Sequence, residues 1–115
     1  MIEVRQYVDR SGRIAFERWY TGLDEDVQAR IALGLDKLER GNFSGVKGAG
    51  AGVFELRLDF GPGYRVYFGK DGEQIVILLG GGTKKRQQTD IEAAQALWQE
   101  YKSRKRRDDA THQGL

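Results

Sequence analysis

The alternation of apolar and polar side chains between positions 53 and 68, VFELRLDFGPGYRVYF, constrains the fold of this chain more than any other feature. A period of two predicts a pair of β-strands, and the Gly-Pro-Gly segment at 61 to 63 predicts the hairpin turn between them. A loop of three residues would place Phe60 opposite Tyr64 and preserve the alternation on both strands. The hairpin would then have an apolar, even-numbered face and a polar face. The polar face would carry Glu55, Arg57, Asp59, Arg65 and Tyr67.

Two helical patterns precede the hairpin and would cover its apolar face. In each of them, apolar side chains recur at helical spacing. The first pattern comprises Phe16, Trp19, Tyr20 and Leu23, and the second comprises Val27, Ile31, Leu35 and Leu38. The first helix should end near Gly22, and Gly41 with Asn42 should end the second. The short link between them favours an antiparallel helical hairpin that packs on the sheet.

The segments that flank the hairpin complete the sheet. The preceding stretch, GNFSGVKGAGAG, is rich in glycine and predicts a mobile or tightly turning loop. After the hairpin, a two-residue turn at Asp71 and Gly72 would lead into an interior strand at 74 to 79. Such a turn would place Val76 and Leu78 on the face that carries the arginines. A short first strand at 2 to 7 is also expected, and the sequence leaves its partner open.

The last apolar stripe predicts a C-terminal helix, which a capping box of Thr89 and Glu92 would open. The inward side chains of this helix would be Ile91, Ala94, Leu97, Trp98 and Tyr101. The element order is then β-α-α-β-β-β-α. We therefore predict an α+β fold in which a small, mainly antiparallel sheet carries a helical hairpin on one face, followed by a C-terminal helix.

The length of 115 residues fits a single domain, which we place at 1 to 101. The segment from 102 to 115 is basic, lacks apolar anchors and predicts a solvated, disordered tail. The N-terminus has no apolar signal core, and no apolar run approaches the roughly 20 residues that span a bilayer. A cytoplasmic protein without membrane contact is expected.

Residue types exclude several classes of chemistry. The chain has no cysteine, and its one histidine, His112, lies in the predicted tail. Thiol nucleophiles, Ser-His-Asp triads and Cys/His zinc sites are therefore excluded. The GAGAG run follows a helix and precedes a strand, which is the reverse of a dinucleotide-binding fingerprint, and GGGTKK lacks the spacing of a phosphate-binding loop. Both runs are interpreted as permissive backbone.

Positive charge is concentrated in the C-terminal third of the chain, although the net charge is only +2. Eight of the nineteen basic residues are Lys84, Lys85, Arg86, Lys102, Arg104, Lys105, Arg106 and Arg107. Such clustering favours an anionic partner, either nucleic acid or an acidic protein. Arg57 and Arg65, with Lys47 in the glycine-rich loop, would add cations on one side of the sheet and favour phosphate contact. An ordinary solvated strand face is the alternative.

The acidic residues of the polar face have two interpretations. Glu55 and Asp59, two positions apart on one strand, could act as a carboxylate pair, about 6.5 to 7 Å apart along the strand. Alternatively, Asp59 could form an ion pair with Arg65 across the hairpin, which is the commoner arrangement on a sheet surface.

Three blocks carry a family resemblance: FERWYTGLDEDVQARI, LERGNFSGVKGAGAGVFELRLDFGPGYRVYF and ILLGGGTKKRQQTDIEAA. In this order, over residues 1 to about 100, the chain resembles the RelE/ParE superfamily of bacterial toxin–antitoxin toxins, most closely the HigB-like addiction module killer branch of phage-derived proteins. The resemblance implies a RelE-like fold, in which a helical pair packs on one face of the sheet and the other face meets the target.

The resemblance also implies a function, a metal-independent and ribosome-dependent mRNA endonuclease that inhibits translation. The ribose 2′-hydroxyl attacks the adjacent phosphate, and neither a metal nor another cofactor is required. The implied partners are the ribosome, messenger RNA and a cognate helix-turn-helix antitoxin, with which the toxin forms a hetero-oligomer. Two alternatives stay open: a toxin without nuclease activity that binds a protein target such as DNA gyrase, and an inactive, antitoxin-binding co-repressor.

Family positions suggest roles for individual residues. Arg65 in GYRVYF matches the phosphate-stabilising arginine, Arg57 in ELRL matches a strand position that is often basic, and Glu55 is the candidate base. The implied RNA-binding residues are Lys47, Tyr67, Lys85 and Arg86. At the end of the last strand, where many nucleases of this superfamily have His or Tyr, this chain has TKKRQQ. The general acid therefore stays open between Lys84, Tyr67 and a ribosomal group.

Overall fold

A mixed sheet of five strands forms the centre of the computed structural model, which describes the backbone of residues 1–113 and the side chains of residues 1–107. The strands are β1 (Glu3–Gln6), β2 (Val46–Gly50), β3 (Val53–Leu58), β4 (Tyr64–Asp71) and β5 (Ile75–Thr83). Their spatial order is β1-β5-β4-β3-β2. The strand β1 pairs in parallel with β5, which answers the question of its partner, and the other pairs are antiparallel. The predicted α+β class is confirmed.

The helices lie where the apolar stripes predict them. They are α1 (Ala15–Thr21), α2 (Glu25–Glu39) and α3 (Gln87–Gln113), and a 3-10 turn at Lys84–Arg86 precedes α3. Gly22 ends α1, and Asp24 precedes α2 as its N-cap. The chain leaves α2 through Gly41, whose φ of +83° is accessible to glycine at little cost.

Each face of the sheet has its own apolar core. The pair α1 and α2 covers the even-numbered face of the hairpin, as predicted. This first core contains Phe16, Ile31, Leu38, Leu56, Val66, Phe68, Val76 and Leu78. The helix α3 covers part of the opposite face, where the second core contains Tyr7, Val53, Tyr67, Ile77, Leu79, Ala94 and Trp98. The predicted inward side of α3 is confirmed, and one end of this second face is left for polar side chains.

The predicted order lacked one strand, because the glycine-rich stretch contains β2. This edge strand pairs with β3, and Lys47 lies opposite Glu55. Gly50, Ala51 and Gly52 all have positive φ and form the turn into β3. An edge strand is held by backbone hydrogen bonds to a single neighbour, so it needs no alternation of apolar side chains. The prediction of a loop here was therefore wrong.

The register of the β3–β4 hairpin differs by two residues from the prediction. Leu58 lies opposite Tyr64, and Arg57 lies opposite Arg65, so that five residues, 59 to 63, form the loop. Backbone bonds from Phe60 N to Leu58 O and from Gly63 N to Phe60 O close this loop. A shift by two residues preserves the faces, as the side-chain period is two. It does remove Asp59 from the strand, and the predicted pairing of Asp59 with Arg65 was wrong.

The prediction that Val76 and Leu78 lie on the same face as the arginines was also wrong. Asp71 lies opposite Ile75, so the turn from β4 to β5 contains three residues, 72 to 74, instead of two. One additional residue in a turn exchanges the two faces of the following strand. Val76 and Leu78 consequently pack in the first core, whereas Ile77 and Leu79 pack beneath α3.

The helix α3 is longer than predicted at both ends. It begins at Gln87, so Thr89 of the predicted capping box lies within its first turn. It continues past position 101, and the prediction of a disordered segment there was wrong over the described residues. Polar contacts replace the missing apolar anchors: Lys105 Nζ lies 2.6 Å from an oxygen of Asp71, and Arg104 Nη1 donates to Val8 O at 2.9 Å. The side chains of 108–115, including the tail histidine, lie outside the described residues.

Candidate anion-binding site

An open cleft of about 450 Å³ lies beside the β3–β4 loop, at the end of the sheet that α3 leaves uncovered. The cleft is lined by Arg57, Asp59, Phe60, Gly61, Pro62, Gly63, Arg65 and Lys84. Three of these side chains are cationic, and they come from β3, β4 and the 3-10 turn. Gly63 N donates to Phe60 O, and Lys84 N donates to Gly63 O at 2.8 Å, which fixes the 3-10 turn against the loop.

Two arginines of the cleft share one buried counter-ion. Arg57 Nε lies 3.6 Å and Arg65 Nε lies 3.9 Å from the carboxylate of Glu55. Glu55 is 4% exposed and Arg65 is 2% exposed. Both distances are too long for direct hydrogen bonds but short enough for strong Coulomb attraction in a buried place. Glu55 therefore holds the two guanidinium groups side by side despite their mutual repulsion.

A glutamine from α3 completes the shell of this carboxylate. Gln87 Nε2 donates to both oxygens of Glu55, at 3.0 and 3.3 Å. The first residue of α3 is thereby attached to the middle of β3. The carboxylate of Glu55 thus accepts hydrogen bonds from Gln87 and faces the guanidinium groups of Arg57 and Arg65. Glu55 forms part of the floor of the site and does not line the cleft.

Two further titratable groups lie close to this floor. Tyr67 is fully buried, its hydroxyl has no hydrogen-bond partner among the described residues, and burial, reinforced by the charge of Glu55, raises its pKa to about 12. Asp90 lies against the backbone of Gly82, where an added Cβ would clash with its carboxylate. Burial raises the pKa of Asp90 above its usual value, and the charge of Arg86 opposes this shift. The floor of the site is thus only partly accessible to water.

The structure brings some of the predicted site residues together and separates others. Arg57, Arg65 and Lys84 share the cleft, with Glu55 beneath them. Lys85 and Arg86 are exposed on the same turn as Lys84, and Lys47 is exposed on β2 beside Glu55. None of these three cations lines the cleft. Tyr67 is buried beneath α3, and the cleft does not include it.

Sequence reasoning missed three residues around the cleft. Gln87 follows the basic run, but no local signal links it to a residue 32 positions earlier. Phe60 was expected on the core face of a strand, whereas it lines the cleft from the loop. Arg30 lies outside the apolar stripe of the second helix, and its guanidinium carbon lies 4.8 Å from the centre of the Phe60 ring.

The arrangement suits the binding of a singly or doubly charged oxyanion. Arg57 can present its terminal nitrogens while its Nε faces Glu55, and Lys84 supplies a compact charge from the 3-10 turn. Over the side chains that the structure describes, no group of three His, Cys, Asp or Glu residues is placed to hold a metal ion. Within the described part of the chain, no helix is both long and apolar enough to span a membrane.

Comparisons with known proteins match the part of the chain that forms this site. The family model of the phage-derived protein Gp49-like family (DUF891) matches residues 18–102, which include every side chain that lines the cleft. An uncharacterized protein of Haemophilus influenzae is 41% identical over 88 residues, which cover 76% of this chain and 89% of that protein. The chain therefore belongs to the Gp49-like family, a family of RelE/HigB-type toxins.

Proposed function

We propose that this protein is the toxin of a type II toxin–antitoxin system and acts as a metal-independent, ribosome-dependent mRNA endonuclease of the HigB-like branch. The observation that carries the proposal is the cleft in which Arg57, Arg65 and Lys84 converge at the uncovered end of the sheet. Membership of the Gp49-like family supports the toxin assignment. The arginine pair supports RNA as the target, because paired guanidinium groups match the geometry of phosphate oxygens.

In the proposed reaction the ribose 2′-oxygen attacks the adjacent phosphorus, and the bond from phosphorus to the 5′-oxygen of the next nucleotide breaks. The cleft would stabilise the additional negative charge on the phosphate through Arg57 and Lys84. Arg65, which is almost fully buried, would contribute charge from the floor. Glu55 would act as a positioning residue for both arginines, because its oxygens are already engaged by Gln87.

The proton transfers need groups that face the cleft. Asp59 is the carboxylate that lines it, and it is exposed, so it is a better candidate than Glu55 for the base that accepts the 2′-hydroxyl proton. Lys84 is the candidate acid for the 5′-oxygen, since an arginine does not release its proton at neutral pH. Asp59 and Lys84 line the same cleft as the proposed phosphate ligands.

The remaining elements of the proposal concern partners and place of action. The toxin would act in the cytoplasm, where ribosomes and messenger RNA are found. Lys47, Lys85 and Arg86, which are exposed, would contact RNA backbone. A cognate helix-turn-helix antitoxin would neutralise the toxin in a hetero-oligomer.

The proposal is tested by expressing the chain without an antitoxin in a bacterial host and mapping new RNA 5′ ends, translation rates and DNA breaks over time. We expect new ends within translated messages and an early fall in translation, and both should disappear in Arg57→Ala. DNA breaks that precede any loss of translation would contradict the proposal and point to a gyrase-type target. Normal growth of cells that contain the folded protein would indicate an inactive co-repressor.

A further inference from the structure

Phe60 is the aromatic residue of the phosphate cleft, and Tyr64 packs against its ring. Phe60 lines the cleft, and its ring centre lies 5.0 Å from that of Tyr64 at an interplanar angle of 38°. Both rings are partly exposed. The pair lies at the end of the β3–β4 hairpin, where Phe60 lines the same cleft as Arg57 and Lys84 and Tyr64 does not line it.

A cation on α2, which covers the opposite face of the sheet, lies against the Phe60 ring. Arg30 is exposed on α2, and its guanidinium carbon lies 4.8 Å from the centre of Phe60. This is a cation–π contact, so Arg30 adds positive charge next to a residue that lines the cleft.

The combination of cations with an aromatic ring fits some classes of anionic ligand better than others. A free phosphate or a phosphorylated peptide needs cations but no aromatic surface. Single-stranded nucleic acid presents a base next to every phosphate, and proteins that bind it combine cations with aromatic rings on which bases stack. A partly exposed ring within the phosphate cleft fits the second class.

We propose that Phe60, supported by Tyr64, is a base-stacking platform, and that the cleft consequently binds a single-stranded RNA segment by one phosphate and the neighbouring base. The phosphate lies between Arg57 and Lys84, and the base takes the place of Arg30 against the Phe60 ring. Arg30, displaced from the ring, then contacts the neighbouring backbone. This inference rests on the proposed function and specifies how its substrate is recognised.

The experiment measures the affinity of the purified full chain for two fluorescein-labelled oligonucleotides by fluorescence anisotropy. One is a single-stranded RNA of about six nucleotides, within the usual site size of such proteins. The other has the same backbone with abasic positions. Phe60→Leu removes the ring, Phe60→Tyr retains it, and Arg57→Ala removes a phosphate contact. Thermal unfolding establishes that each variant is folded.

We expect Phe60→Leu to weaken binding of the RNA roughly 10-fold, in the range of one lost base–aromatic stack, and to leave binding of the abasic strand unchanged. Phe60→Tyr should bind both strands like the wild type. Arg57→Ala should weaken both.

Any other result overturns either the stacking platform or the phosphate cleft. If Phe60→Leu binds the RNA like the wild type while Arg57→Ala weakens both strands, the platform is wrong and the phosphate cleft stands. If Phe60→Leu weakens both strands equally, the ring acts only through the shape of the cleft, and the platform is again wrong. If the wild type binds neither strand, the platform is overturned as a site for RNA alone, and the ribosome-dependent function is tested separately by the expression experiment. If Arg57→Ala changes neither affinity, the phosphate cleft is wrong as well.

Discussion

Gln87 donates to both carboxylate oxygens of Glu55, at 3.0 and 3.3 Å, and thereby attaches the first residue of α3 to the strand beneath the two cleft arginines. The same carboxylate lies 3.6 Å from Arg57 Nε and 3.9 Å from Arg65 Nε. One buried anion thus organises two strands and a helix. This relationship makes Glu55 a structural requirement of the cleft and gives it a role that can be measured apart from activity.

Replacement of Glu55 should destabilise the fold. Glu55→Ala leaves the guanidinium of Arg65 buried without its counter-ion, and the loss of one partner from a buried pair typically costs about 3–5 kcal/mol. The free energy of unfolding from urea titrations measures this effect. The matched control is Arg40→Ala, which removes an exposed pair with Asp36 at 3.0 Å and should cost less than about 1 kcal/mol. Equal losses of stability in the two variants would contradict the assignment of Glu55 as the buried counter-ion of Arg65.

Two tyrosine hydroxyls, that of the buried Tyr67 and that of the partly buried Tyr101, should respond differently to removal. The hydroxyl of Tyr67 has no hydrogen-bond partner in the described part of the chain, so Tyr67→Phe should leave stability at pH 7 unchanged or raise it. Tyr101 donates to Asp71, so Tyr101→Phe should lower stability by about 1 kcal/mol. Thermal unfolding of both variants at pH 7 checks this contrast, and a loss in Tyr67→Phe that matches Tyr101→Phe would contradict it.

Alkaline pH provides a second test of Tyr67. Burial raises its pKa to about 12 in the folded protein, whereas an unfolded tyrosine ionises near 10. A raised folded pKa means that the unfolded state releases its proton first, so stability is lost as pH rises from about 10 towards 12. Tyr67→Phe should therefore unfold less steeply than the wild type over this interval. Identical alkaline unfolding curves would show that Tyr67 is not buried as described.

Acidic pH should release the end of α3 from the sheet. Hydrogen bonds from Lys105 and Tyr101 hold the pKa of Asp71 below its usual value, and the charge of Arg5 adds to this shift. A lowered folded pKa stabilises the fold above the unfolded value near 3.9, and this contribution is lost as pH falls below it. The protection factors for hydrogen exchange of α3 near Tyr101, which are relative to the intrinsic exchange rate at each pH, should fall below about pH 4 in the wild type. In Asp71→Asn these protection factors should be lower already at pH 7 and should depend much less on pH.

Glycines beneath the two tryptophans should not accept a side chain. A Cβ on Gly69 would clash with the ring of Trp98, and one on Gly81 would clash with the ring of Trp19. Gly69→Ala should destabilise the protein by about 1–3 kcal/mol through overpacking. Gly48→Ala on the edge strand is the control, because its Cβ would meet no atom within 4 Å. Similar melting temperatures for the two variants would contradict the close packing of α3.

The polar face of the hairpin could be predicted because side-chain parity does not depend on the exact register. Glu55, Arg57 and Arg65 therefore share a face although the loop is two residues longer than expected. The face of Val76 could not be predicted, since one additional turn residue reverses it. The strand β2 has no apolar alternation, and only its pairing with β3 reveals it. The contact between Gln87 and Glu55 joins positions 32 apart and requires the fold.

The central claim is that the cleft of Arg57, Arg65 and Lys84 acts on the phosphate of messenger RNA. Arg57 tests it best, because its side chain is one-third exposed, at 33%, and can be removed with less damage to the fold than the buried Arg65. The most direct measurement is the rate at which purified protein cleaves ribosome-bound messenger RNA. Arg57→Ala should reduce this rate by about 100-fold or more, as the loss of one charge-stabilising donor does in other enzymes. Arg18→Ala, at an exposed position on α1, should leave it unchanged. Cleavage by Arg57→Ala at the wild-type rate would contradict the account.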